Sequence, residues 1–288
     1  MGAALETITA YASPAGTTAG TYVALTPQSG QSLTIRATPT DQAGEILAPF
    51  ASCGLASYVQ LKSARMHDQT IGCTFLSQIN TTATAVSYLA GLDWDEPAWN
   101  TDVLTFQFTP VATNTNTVPV FGGFSIYYPS LGGINQNMMT WAQVKSYENA
   151  SAKTGLHYVS WVVAASGATA GHLGAAVAIN NVNDQFKANH SYALLGYNTN
   201  TSCGAVIISG TDTGNLYVGG VGSLNPAETR NYFVDLSLAQ GIPCIPIIQA
   251  NNKGGTFVYV ADPATTSTNF EVQLNWMDLG INVPPVGT

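Results

Sequence analysis

The sequence predicts an all-β protein: antiparallel β-sandwich, arranged as two sandwiches in tandem around one short helix near residues 140–153. Three observations carry this. Apolar residues recur with period two in many short runs, the mark of half-buried strands. Clusters of Gly, Pro, Asn and Ser break these runs at intervals of about 8 to 15 residues, the spacing of sandwiches rather than of βαβ units. With 45% hydrophobic residues in 288 the chain can bury a large core, yet only 8% are charged.

Taken in chain order, Leu33, Ile35 and Ala37 alternate with Ser32, Thr34 and Arg36, and Leu104, Phe106 and Phe108 alternate with Thr105, Gln107 and Thr109. Ala205 to Ile208 and Thr256 to Val260 are apolar on both faces, as strands inside a sandwich are. Tyr232, Val234, Leu236 and Leu238 share one face and read as a strand; so do Phe270, Val272, Leu274 and Trp276. Turn signals stand at Ser13 to Gly16, Pro27 to Gly30, Gly132-Gly133, Gly219-Gly220, Asn251 to Gly255 and Asp262-Pro263. Roughly fifteen strands result from this pattern.

The helix is signalled by a capping box, Thr140 with Gln143, followed by Trp141, Val144 and Tyr147 at helical spacing and by Gly155 as a stop. It divides the chain into a first sandwich over residues 1–137, a connecting helix over 138–155 and a second sandwich over 156–288.

Charge excludes one large class of partner. The 8 basic residues, Arg36, Lys62, Arg65, Lys145, Lys153, Lys187, Arg230 and Lys253, are scattered against 16 acidic ones, so no basic arm or stripe can displace counterions from phosphate. The expectation is no direct electrostatic binding of nucleic acid. So low a charge leaves a free surface poorly protected against self-association. It suits a surface committed to neighbours. The opening residues lack a basic n-region and a continuous apolar stretch, so no secretory signal is expected. The uncharged span between Lys153 and Asp184 is interrupted by Ser166, Gly167, Thr169, Gly171, His172 and Gly174, and no transmembrane segment is expected there.

Cys53, Cys73, Cys203 and Cys244 show no zinc-site spacing and read as buried thiols. Sequons begin at Asn80, Asn149, Asn189 and Asn200, as chance supplies in a chain rich in Asn and Thr. Asp212-Thr213-Gly214 after an apolar run resembles the catalytic turn of aspartic proteases, but a second such turn, needed to share a proton between two carboxylates, is missing. A turn between strands is the expectation. Asp93, Asp95 and Glu96, with Trp94 and Trp99, have the composition of a glycosidase pair or a calcium loop. Gly91 and Pro97 predict a loop there, solvated or in contact with another subunit. His67 (beside Asp68), His157, His172 and His190 stand apart from any nucleophile or metal motif. The sequence therefore predicts no enzyme, no catalytic, cofactor-binding or metal-binding residue, and no cofactor.

The segments YVQLKSARM, VLTFQF, RNYFVDLSL, TFVYVAD and FEVQLNWMDLG, set among Thr-, Asn- and Gly-rich loops, give the chain a texture that resembles jelly-roll viral capsid proteins. The resemblance covers most of the chain and is one of architecture. It implies two jelly rolls in tandem, as in compact major capsid proteins of icosahedral viruses with an internal lipid membrane, or else one jelly roll with a large insertion. It implies a structural protein of the virion, made in host cytoplasm. Its partners would be copies of itself as trimers or higher capsomers, a second capsid or spike protein, and a nearby viral membrane. The basic N-terminal arm of simpler coat proteins is missing. Contacts between copies are expected in the loops at 112–117, 131–137 and 198–202 and in the tail at 284–288. The rival expectation is a carbohydrate-binding or receptor-binding sandwich, with Trp94, Trp99, Trp141, Trp161 and Trp276 as its aromatic inventory; Trp141 and Trp276 sit on apolar faces and read as core.

Overall fold

A computed structural model describes residues 2–53, 56–66, 73–77, 86–89, 91–117, 119–134, 136–150, 156–165, 172–179, 186–199, 205–221, 231–261 and 269–281. The first half carries β1 (Gly2–Ala12), β2 (Val23–Ala24), β3 (Thr26–Pro27), β4 (Gln42–Cys53), β5 (Ser57–Lys62), β6 (Cys73–Ser77), β7 (Val86–Leu89), β8 (Asp95–Trp99), β9 (Thr105–Pro110) and β10 (Val120–Leu131). The second carries β11 (Met138–Met139), α1 (Trp141–Ala150), β12 (Leu156–Ala165), β13 (Val177–Ala178), β14 (His190–Thr199), β15 (Ala205–Gly210), β16 (Val218–Val221), α2 (Tyr232–Gln240), β17 (Ile245–Gln249), β18 (Thr256–Ala261) and β19 (Asn269–Ile281). The protein is mostly antiparallel β-sheet, as the period-two runs predict.

Four sheets form. In the first half β3-β1-β10-β4-β7, with β8 also on β4, faces β2-β9-β5-β6. Alternation builds the core between them: Ala4, Ile8 and Ala10 of β1 and Phe124, Ile126 and Tyr128 of β10 meet Val59, Leu61, Phe106 and Phe108. In the second half β11-β17-β14-β19-β12 and β13-β18-β15-β16 share a core with α1 and α2. The larger first sheet is buried on both faces. Leu5, Leu47, Phe50, Phe121 and Tyr127 point away from their own sandwich into the core of the second half. The two halves are joined through apolar packing, so separating them would expose side chains that each return about 1.5–3 kcal/mol on burial.

The capping box forms as predicted: Thr140 N–H donates to Gln143 Oε1 (2.8 Å) and Gln143 N–H to Thr140 Oγ1 (3.2 Å). The helix starts at Trp141 and is described to Ala150; Gly155 lies outside the described residues. Met138 and Met139, expected in the connecting helix, instead add a strand to the sheet of the second half.

Four local expectations are corrected. Residues 232–238 are helix, not strand: Tyr232, Phe233, Val234, Leu236 and Ser237 are all buried, and Gly241 closes the helix at φ 69° with its N–H on Ser237 O (2.9 Å). In so short a run the apolar residues fit the period of a strand as well as that of a helix, so pattern alone does not separate the two. Gly219-Gly220 lies inside β16 rather than in a turn; a Cβ at Gly220 would fall on the Tyr232 ring, so glycine there serves close packing. Asp95 to Trp99, Pro97 included, form β8 rather than a loop. Proline is tolerated because β8 pairs with β4 alone, on one side. Residues 31–37 form no strand, only a bridge between Thr34 and Val103, although Ile35 is buried as its alternation requires.

Candidate functional site

The residues with the most developed polar geometry line the outer edge of β1, where the two halves meet. An edge strand leaves backbone N–H and C=O groups unpaired. β3 pairs only with Ala10 and Tyr11, and the outward groups of Leu5, Thr7 and Thr9 are taken by partners outside any paired strand. The Gln136 side-chain amide accepts from Leu5 N–H (2.7 Å) and donates to Leu5 O (2.8 Å) and to Thr213 O (2.8 Å). Thr7 N–H donates to Tyr217 O (2.7 Å), and Gln31 Nε2 donates to Thr7 O (3.0 Å). Thr9 N–H donates to Gln31 Oε1 (2.8 Å), and Gln28 N–H donates to Thr9 O (2.9 Å). The Thr7 hydroxyl donates to Gly219 O (2.9 Å), accepts from Gly219 N–H (3.1 Å) and lies 2.9 Å from Ser125 Oγ. Thr7, Thr9, Ser125 and Gln136 are buried. Uncharged amides and hydroxyls satisfy buried backbone without the desolvation cost of ions.

The Asp212 turn belongs to this seam. Residues 211–213 form a 3-10 turn; Thr213 Oγ1 accepts from Gly210 N–H (2.9 Å), and the Asp212 carboxylate accepts from Gln249 N–H (3.0 Å) and Asn252 Nδ2 (3.0 Å). Burial pushes the Asp212 carboxyl above its ordinary range despite the bonds from Asn252 and Gln249. The crevice between Gln136, Asn137, Asp212, Thr213 and Pro246 has no space for a water-sized body. Asp212 is buried and ties its own turn to the 249–252 segment.

The loop that carries the acidic cluster touches the seam through its backbone, while the Asp93 and Asp95 side chains are exposed. Gln240 at the end of α2 donates to Leu92 O (2.6 Å) and Trp94 O (3.3 Å), so the loop before β8 docks on the second half. Among the described residues no three His, Cys, Asp or Glu side chains could hold a metal ion. Trp94 packs on the first core, Trp99 lies under the Arg65 guanidinium at 4.9 Å, Trp141 packs on the second core, and Trp276 is buried edge-on to Phe186 (5.1 Å). The Trp161, His157, Cys73 and Asn149 side chains, His67 with Asp68, Cys203, the sequons at Asn80 and Asn200, residues 200–202 and the tail lie outside the described residues. Cys53 and Cys244 are buried thiols; burial pushes Cys244 up to about 12, against a hydrogen bond with Ser237, so it is inert.

The His172 ring packs tilted against Tyr11, with ring centroids 3.8 Å apart. His190 is not isolated: its Nδ1 lies 2.7 Å from the buried Asp278 carboxylate. Sequence spacing could not announce that pair, 88 residues apart. Of the loops expected to meet other copies, residues 112–117 are mostly exposed and tied to Thr17 (Thr17 N–H to Asn114 O, 2.8 Å). The 131–137 loop is turned inward at Gln136, and Asn198 and Thr199 are buried in β14.

No family model, curated protein or solved structure matches this chain. Among the described residues no helix is long and apolar enough to cross a membrane.

Proposed function

We propose that the chain is a major capsid protein, a double jelly roll whose copies tile into the icosahedral shell of a virus. The observation that carries this reading is the strand order. With β7 and β8 sharing one position, β1-β10-β4-β7 corresponds to β12-β19-β14-β17, and β2-β9-β5-β6 to β13-β18-β15-β16. In both sets the first and last long strands lie side by side in one sheet, the arrangement of an eight-stranded jelly roll made of two Greek keys. α1 and α2 are the additions of the second unit.

The seam supports self-assembly. The outer edge of β1 is sealed by Gln136 from the segment between β10 and β11, by Tyr217 of the second unit, and by Gln28 and Gln31. β12 holds the corresponding margin in the second unit, and among the described residues no strand pairs with its outer edge. Its ten residues, LHYVSWVVAA, include no Lys, Arg, Asp, Glu or Pro to guard that edge. A neighbouring copy that repeats the side-by-side contact covers it, and a head-to-tail contact of this kind closes into a ring where the rotation permits. Weak polar contacts then gain strength by number.

A receptor- or glycan-binding sandwich is the second reading, favoured by one feature. On the outward face of β2-β9-β5, Tyr22 (42% exposed) and Tyr58 (43% exposed) flank Thr109, with Gln60 and Gln107 paired beside them at 2.6 Å. Aromatic rings set among amides suit a neutral sugar.

Size measurement with negative-stain imaging of the purified chain separates the two. Capsomers, trimers or closed shells are expected. A monomer at high concentration that binds a glycan array through Tyr22 and Tyr58 would overturn the capsid reading.

A further inference from the structure

At the far end of the larger sheet of the second half, β14 begins and β19 ends side by side, His190 paired with Ile281 and Ser191 with Gly280. The pairing slips between Ser191 and Tyr192, and Gly280 takes φ 96°, so regular ladder bonds do not hold this end by themselves. A carboxylate does. The Asp278 side chain is 2% exposed; Oδ1 lies 2.7 Å from His190 Nδ1 and accepts Gly280 N–H at 2.9 Å, and Oδ2 lies 3.4 Å from the Lys187 ammonium. Lys187 N–H donates to Tyr192 Oη (2.8 Å), and His190 N–H donates to Lys187 O (3.2 Å), so the turn that presents both cations folds back on β14.

We propose that Asp278, His190 and Lys187 form an acid-released latch that fastens the start of β14 to the end of β19. Among the described residues, the charged and titratable groups on the surrounding elements are Lys187 on the preceding turn, His190 and Tyr192 on β14, Lys253 on the 250–255 turn, His157 on β12, and Lys145 and Tyr147 on α1. Lys187 and His190 reach the carboxylate. One buried carboxylate thus stands between an ammonium and an imidazole. Protonating it removes the shared counter-charge and leaves two like charges facing each other across the strand ends, which favours opening of the turn and fraying of residues 278–281. Burial on its own would push the Asp278 carboxyl up. The bonds from His190 and Gly280, the His190 charge and the Lys187 bond outweigh it and hold the carboxyl below the usual range. The sign follows: the latch is fully closed above the unfolded aspartate value of about 3.9 and is lost as pH falls through the lower native value.

The test compares thermal midpoints of the full chain from pH 7 down to pH 2 for wild type, Asp278→Asn, Lys187→Gln and His190→Gln. Asp278→Asn mimics the released state, so its midpoint should lie on the order of 5 °C below wild type at pH 7, with the gap closing as the pH drops below 4. Lys187→Gln and His190→Gln, which each remove one of the facing cations, should lose less on acidification than wild type does. Should Asp278→Asn fail to fold, the two cation variants decide. A gap that is constant across the pH range, or acid losses in Lys187→Gln and His190→Gln equal to that of wild type, would overturn the latch.

Discussion

β1, flanked on its outer side only by the two-residue β3, and β12 run along the margins of the two larger sheets, and they end differently. Beside β1 the backbone groups of Leu5, Thr7 and Thr9 are all bonded, by Gln136, Tyr217, Gln31 and Gln28. Beside β12, a ten-residue strand, no partner strand stands among the described residues. A closed margin next to an open one is what a unit with a fixed internal neighbour and an exchangeable external one needs. The closed margin also shows what a polar, uncharged composition is good for. Glutamine and threonine side chains imitate the hydrogen bonding of a missing strand, and they do so where a charged side chain would be costly to bury.

Breaking the closed margin should cost most where burial is deepest. Gln136→Leu leaves Leu5 N–H and Leu5 O without partners, while Thr213 O keeps the Leu216 N–H, and each orphaned buried group costs about 1–3 kcal/mol, so urea unfolding should register a loss of about 2–6 kcal/mol. Gly220→Ala sets a methyl against the buried Tyr232 ring and should cost about 1–3 kcal/mol by the same measurement. Thr7→Val keeps the shape and removes the hydroxyl shared by Gly219 and Ser125; about 1–2 kcal/mol is expected, and less than 0.5 would mean the seam is held by packing alone. Gln31→Ala, on the more exposed stretch, should cost about 1 kcal/mol, because water can replace the lost amide.

Much of the architecture was legible in the sequence because it rests on local pattern. Period two in VLTFQF and FEVQLNWM reports burial on one face, and the Thr140–Gln143 capping box is a relation between residues three apart. α2 was misread because the apolar residues of YFVDLSL fit the period of a strand as well as that of a helix, its burial coming from both halves at once. Pro97 argued for a loop because sequence does not reveal which strands lie at an edge. The seam was illegible for a different reason. Gln136 meets Leu5 across 131 residues, and Thr7 meets Gly219 across 212. No local signal marks a glutamine that imitates a strand. The low charge was visible from the start, and its internal use appears only once those partners are brought together.

Hydrogen exchange, residue by residue, on dissociated and assembled protein tests the central contrast most directly. The account predicts that the amides of Leu5, Thr7 and Thr9 are protected to the same degree in both states, while alternate amides along β12 exchange quickly in the dissociated chain and become protected on assembly. Equal protection of β12 in both states, or protection of β1 that appears only on assembly, would contradict it.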